Sequence, residues 1–211
     1  MAEGIGLCTI LPEGIGWNRC VKLAEQVEES FSRLPVALQW YVWDQTEFGA
    51  DADLQDWAEQ RGGQVHHLGA NVYRSQAWRN LATLATEEKL ICFDAVHGSV
   101  NDPTWSEDLL AASGAAAGCL HWVNYEVLGL PAAELNRMLW LTLDAGVFRI
   151  ERKLLAEWQP HPFFPEAYAD AWLSYSLQKA GYELADVATI KSVGAGKLKH
   201  PERFKYVHDY R

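Results

Sequence analysis

Lys89-Leu90-Ile91-Cys92-Phe93-Asp94 is the stretch on which the fold turns. Its apolar run is too short for a helix and reads as a strand that ends on an acid. Upstream, Ser75 to Ala85 places Trp78, Leu81, Ala82 and Ala85 on one helical face. Before that helix, Val65 to Leu68 reads as a short strand. It is preceded by a helix marked by Leu54, Trp57 and Ala58 and stopped by Gly62-Gly63. Val36 to Trp43 is rich in β-formers and ends at Asp44, a second strand closed by an acid. Trp17, Val21, Ala24, Val27 and Phe31 recur at helical spacing, behind a first strand from Leu7 to Leu11 that Pro12-Glu13-Gly14 closes. Strand and helix alternate throughout, which predicts an α/β fold with a central, mostly parallel sheet flanked by helices.

Downstream the rhythm changes near residue 115. Asp102-Pro103 predicts an N-cap with proline in the first turn of a helix that runs through Ala112. Ala116 to Val123 reads as a strand, Val147 to Ile150 as a short one, and Leu154 to Trp158 as a helix. After the loop Pro160 to Pro165, Asp170 sits where a helix N-cap belongs. Leu173, Leu177 and Ala180 share that helix's face, and Gly181 ends it. Tyr182 to Ala188 is the last strand.

The 211 residues predict one domain over 1–190, with a first half over about 1–115, a second over about 116–190, and a basic tail over 191–211. Lys191, Lys197, Lys199, Arg203, Lys205 and Arg211 make that tail either a solvated end or a site for a small anion. The net charge of -10 argues against duplex nucleic acid as a partner, because phosphate neutralisation supplies most of such affinity. Cys8, Cys20, Cys92 and Cys119 form no C-x-x-C pair, and three of them lie in apolar strands. Buried free thiols and a reducing compartment follow as expectations. Met1-Ala2-Glu3-Gly4 carries no basic, then apolar, leader pattern, and no apolar run approaches the ~20 residues of a membrane span. A cytoplasmic protein is the expectation. Ten tryptophans supply core, with some able to stack on sugar rings.

Asp44 and Asp94 stand at strand ends, where α/β sheets bind ligands. Carboxylates there can accept hydrogen bonds from a base or ribose or hold a divalent ion beside a diphosphate; equally, they can cap their own loops. His66 and His67, adjacent on a strand, face opposite ways and read as structural.

In order, the chain runs Leu11-Pro12, Asp44, Asn71, Arg79-Asn80, Ile91-Cys92-Phe93-Asp94 and Pro103-Thr104-Trp105. It continues through Gly146-Val147-Phe148-Arg149, Arg152-Lys153-Leu154-Leu155, Phe163-Phe164-Pro165 and Tyr168-Ala169-Asp170 to Lys179-Ala180-Gly181-Tyr182. This ordered set resembles the family 2 glycosyltransferases. The resemblance implies a type-A glycosyltransferase fold, a nucleotide-sugar donor bound by the first half and an acceptor, of unknown identity, by the second. It implies donor contacts at Pro12, Asp44, Asn71, Arg79 and Asp94, with Asp44 reading the base. It implies a divalent metal, Mn or Mg, at Asp94, and Asp170 as the general base of an inverting transfer. The metal motif departs from the family's Asp-X-Asp, reading Asp94-Ala95-Val96-His97, so His97 stands as a substitute ligand or as a structural residue. The acidic pair before the last helix is reduced to Ala169-Asp170, and Ser192-Val193 occupies the region of a further histidine ligand, with His200 and His208 beyond it. A catalytically inactive sugar- or partner-binding module is the alternative reading, and an unrelated nucleotide-binding enzyme such as a nucleotidyltransferase the third.

Overall fold

The computed structural model describes residues 3–47, 49–94, 100, 102–124, 139–162 and 168–190, with side chains described outside 122–124 and 139–140. Its strands are β1 (Glu3–Leu11), β2 (Val36–Asp44), β3 (Gln64–His67), β4 (Lys89–Asp94), β5 (Ala116–Asn124), β6 (Leu139–Glu151) and β7 (Leu184–Asp186). They form one sheet in the order β3-β2-β1-β4-β6-β5-β7. The pairs β3–β2, β2–β1 and β1–β4 are parallel, β6 runs antiparallel to both neighbours, and β5–β7 is parallel again. The helices are α1 (Val21–Ser32), α2 (Ala52–Glu59), α3 (Tyr73–Leu84), α4 (Trp105–Ala111), α5 (Arg152–Glu157) and α6 (Ala169–Lys179), with a 3-10 turn at Trp17–Arg19.

Strand periodicity sorts the core into two layers. In β1, Ile5, Leu7 and Leu11 face the side covered by α1, α2 and α4; Cys8 and Ile10 face the side covered by α3, α5 and α6. In β4, Ile91 and Phe93 face the first side, Leu90 and Cys92 the second. Both faces are buried, so these strands are continuously apolar rather than alternating. Trp40 packs edge-on against Trp57 and Phe93, Trp105 against Phe31, and Trp78 against Phe148. Among the described side chains seven tryptophans are buried, which accounts for most of the unusual count. None of the four cysteines is in a disulfide; Cys8 and Cys92 stand opposite each other on β1 and β4.

Three expected boundaries shift. Asp102 does not cap α4: its Oδ1 accepts from the Thr104 N–H at 3.0 Å, closing a turn one step earlier, and the helix begins at Trp105. Asp170 is not the N-cap of α6. Tyr168 holds that position at φ 62, so Asp170 lies inside the first turn. The short strand expected over Val147 to Ile150 is the second half of the 13-residue β6. The other end of α6 is as expected. Gly181, at φ +87, lets its own N–H reach Gln178 O at 3.0 Å and the Tyr182 N–H reach Leu177 O at 3.0 Å.

Candidate functional site

The first crossover from β1 leads to β2 on one side, while β4 lies on the other. A parallel sheet opens a crevice at such a switch point, beyond the carboxyl ends of its strands. A narrow cleft lies there, lined by Ile10 and Pro12 from β1 and its loop, Gln45 after β2, Phe93 and Asp94 ending β4, and Arg74 from α3. Beside it, Glu13, Gly14, Thr46, Glu47, Gly49 and Asp51 wall an open depression of about 390 Å³.

Asp44 is fully buried, and its carboxylate organises the loop that follows. Oδ1 accepts from the Thr46 N–H at 2.9 Å and Oδ2 from the Asp51 N–H at 3.0 Å. Asp51 passes the order on: its Oδ1 caps α2 through the Leu54 N–H and its Oδ2 accepts from the Trp17 N–H, at 3.0 and 3.1 Å. Two aspartates thus tie the loops after β1 and β2 together. His67 Nδ1 stands 3.7 Å from Asp44 Oδ2, while His66 stacks on Trp43.

Asp94, buried at the end of β4, meets Arg74: Nη2 lies 2.9 Å from Oδ2. Arg74 is the second residue of α3 and had no place in the sequence reading, which chose Arg79 for its neighbour Asn80. Arg79 turns elsewhere; its Nε donates to Ala156 O at 3.3 Å and fastens α3 to the end of α5. Asn71 lies at the rim, where its Oδ1 accepts from the Tyr73 N–H at 2.8 Å and its Nδ2 donates to Glu13 at 3.4 Å. The structure therefore brings Pro12, Asp94 and the loop held by Asp44 together, sets Asn71 at the edge and places Arg79 against α5. His97 lies outside the described residues, as do Phe163-Phe164-Pro165, His200, His208 and the tail 191–211.

Asp170 approaches the same arginine from the second half of the chain. Burial pushes its carboxyl above the ordinary aspartate value; the Arg74 charge and the Ala171 N–H, 2.8 Å from Oδ1, pull the other way. Asp144 raises it further and His121 lowers it, so both belong to its surroundings. Asp144 sits where the β5–β6 register shifts, between Gly118 and Leu120, and its Oδ1 accepts from the Gly146 N–H at 2.7 Å. A bulge of this kind re-aims a side chain. Among the described residues two non-glycines have positive φ, Tyr73 just before Arg74 and Tyr168 two residues before Asp170. Such backbone conformations cost about 1–3 kcal/mol each and cluster at functional sites.

A divalent cation at Asp94 needs further anionic or imidazole donors. Among the described residues no three such side chains stand together, and Asp94 Oδ2 already faces a guanidinium, which repels a cation. The described residues do not fit a divalent ion. Among them, too, no helix is long and apolar enough to cross a membrane.

No protein-family profile matches the chain, and no curated protein does. Solved structures do. A mannosyltransferase from Pyrobaculum calidifontis, in complex with GDP-Man and Mn2+, superposes with a TM-score of 0.62 at 14% identity, over 99% of this chain. This chain spans 61% of that one's length. Glucosyl-3-phosphoglycerate synthase from Mycobacterium tuberculosis, in complex with Mn2+, uridine-diphosphate and phosphoglyceric acid, gives 0.58 at 15% identity, over 98% of this chain and 75% of that one. A CMP:2-keto-3-deoxy-manno-octonic acid synthetase complexed with CTP gives 0.53 at 14%, over 99% and 98%. The chain has the type-A glycosyltransferase fold.

Proposed function

We propose that this protein binds a nucleotide-diphosphate-sugar and transfers its sugar to an acceptor hydroxyl with inversion. The observation that carries the proposal is that Arg74 serves both halves of the chain: it pairs with Asp94 at the donor end of the sheet and acts electrostatically on Asp170 of α6. Donor and acceptor machinery thus meet at one guanidinium. The first half, about 1–115, takes the donor, and the second, about 116–190, the acceptor.

The roles follow the geometry. The loop held by Asp44, with Pro12 and Asn71, receives the nucleoside; both Asp44 oxygens serve that loop, so recognition falls to the loop rather than to the carboxylate. Asp170 is the base. Its raised affinity for a proton suits removal of one from an acceptor hydroxyl. The hydroxyl oxygen forms the new bond to the anomeric carbon, the bond from that carbon to the diphosphate oxygen breaks, and its electron pair leaves with the diphosphate. The proton goes to Asp170. The superposed mannosyltransferase and synthase, with their nucleotide ligands, support the donor class.

Calorimetric titration with a panel of nucleoside diphosphates and their sugars tests this reading. Saturable binding of one base series, followed by release of its nucleoside diphosphate when an acceptor pool is added, is the expected result. Binding without release favours the inactive, sugar-binding alternative, for which the reduced acidic motifs at Asp94 and Asp170 speak. No binding by any member rejects the transferase reading and leaves the inactive sugar- or partner-binding alternative.

A further inference from the structure

Gln45 is a buried side chain, 3% exposed, and its Nε2 has no hydrogen-bond partner. A buried amide donor left unsatisfied is destabilising, and one that lines a cleft is placed to receive an acceptor that arrives with a ligand. Gln45 lines the cleft at the β1–β4 switch point together with Arg74, Asp94 and Pro12. The cleft has room for about one water molecule, which is also the space of one phosphoryl oxygen. Its polar lining is thus a guanidinium, an amide donor and one carboxylate, and the carboxylate is held by the guanidinium at 2.9 Å.

We propose that Arg74 and Gln45 form a cation-independent diphosphate site, in which the guanidinium bridges Asp94 and a phosphoryl oxygen while the Gln45 amide donates to the same oxygen. This rests on the nucleotide-binding reading and deepens it. A divalent ion would link a carboxylate to a diphosphate by standing between two negative groups; a guanidinium does the same with a fixed fork of five N–H donors. The described donor set fits the second device and not the first. Position supports it: Arg74 lies in the first turn of α3, at the carboxyl end of β4, and electrostatically it also faces Asp170. Leaving-group charge would then build beside a cation that the chain itself supplies.

The test is calorimetric binding of UDP, GDP, ADP and CDP to the full chain, in EDTA and in Mn2+, with Mn2+ alone titrated separately. The expected result is one nucleotide bound equally in both conditions and no saturable Mn2+ site. Arg74→Gln should weaken that nucleotide roughly 10- to 100-fold, the range for hydrogen bonds to a charged group, and Gln45→Leu roughly 3- to 10-fold, the range of an ordinary hydrogen bond. Arg74→Lys keeps the charge beside Asp94 and guards against misfolding; losing the fork, it should fall between wild type and Arg74→Gln. Nucleotide binding that requires Mn2+ overturns the proposal and leaves the transferase reading standing. So does binding in EDTA that Arg74→Lys and Gln45→Leu leave unchanged. Binding by no nucleotide in either condition overturns both.

Discussion

Arg74 Nη2 lies 2.9 Å from Asp94 Oδ2, and the same guanidinium lowers the proton affinity of Asp170, a residue 96 positions further along the chain. One side chain from the first turn of α3 therefore pairs with the end of β4 and acts electrostatically on the start of α6. The sheet explains how: β6 and β5 extend it on the β4 side, so α6, packed on β6, shares a face with α3. Tyr168 Oη titrates above its ordinary range through burial and the Asp170 charge, a second sign that the start of α6 is enclosed.

The first consequence concerns pH. The folded-state proton affinity of Asp170 lies above that of an exposed aspartate, chiefly through burial. The folded protein then binds this proton more tightly than the unfolded chain does. The associated stability is present below the ordinary aspartate value and lost as pH rises through the raised one. Asp170→Asn should therefore unfold at a higher temperature than wild type at pH 7 and show a smaller gain at pH 4, while transfer is abolished and nucleotide binding is kept. Thermal unfolding at the two pH values, beside a transfer assay, checks this. A variant still active, or one less stable at pH 7, contradicts the assignment.

Asp44 makes a different prediction. Its two oxygens satisfy two backbone N–H groups, on Thr46 and Asp51, from a position with no exposure. Asp44→Ala leaves both donors without an acceptor, at about 1–3 kcal/mol each, and loosens Asp51 and hence the start of α2. A total loss of about 2–6 kcal/mol in urea unfolding is expected, with donor affinity falling alongside. Asp44→Asn keeps one acceptor oxygen and should lose roughly half as much. Donor affinity falling while stability holds would point instead to direct contact between the carboxylate and the base.

The strand-and-helix order was legible because burial on both faces makes β1, β2 and β4 continuous apolar runs, and because α1 and α3 carry single apolar stripes. Only Val147 to Ile150 of β6 was legible, whereas the strand continues back through Gly146 and Asp144 to Leu139. Local turn chemistry is real there, with Asp144 accepting from Gly146, but it belongs to a bulge within the strand and not to a break. Arg74 was missed for a related reason. Pattern matching drew the choice to Arg79, whose tertiary partner is Ala156 O, and nothing local marks which of two arginines on one helix faces the sheet's carboxyl edge. Gln45 was equally silent, since an orphaned donor becomes visible only once its surroundings are built.

Arg149 anchors the turn between the two halves. It is 3% exposed, and its guanidinium donates to three backbone carbonyls, Leu109 O, Ala112 O and Gly114 O, at 3.1, 2.9 and 3.1 Å. Burial lowers its proton affinity. Arg149→Met fills the space but supplies no donor, so about 2–4 kcal/mol should be lost in urea unfolding, at the usual cost of hydrogen bonds to charged groups. Arg149→Lys should recover only part of it, because one ammonium cannot reproduce the planar fork. A neutral Arg149→Met would mean that water replaces the guanidinium at all three carbonyls.

Gly114, held by that arginine, separates two costs usually measured together. Its φ of +92 disfavours any side chain, and a Cβ there would stand 2.8 Å from Glu183 O, a backbone atom that receives the Ala115 N–H and fixes β7 beside β5. Gly181 has a similar φ of +87 but open space within 4 Å of its would-be Cβ. Gly181→Ala should therefore cost only the left-handed strain, about 1–2 kcal/mol. Gly114→Ala must also displace Glu183, and should cost about 1–3 kcal/mol more, the scale of overpacking in a filled interior. Because the displaced carbonyl belongs to the β5–β7 junction, its amide protons should exchange faster in Gly114→Ala and stay protected in Gly181→Ala. Equal losses for the two substitutions, with β7 protected in both, would show that the Glu183 segment yields without cost and that backbone conformation alone dictates glycine at 114.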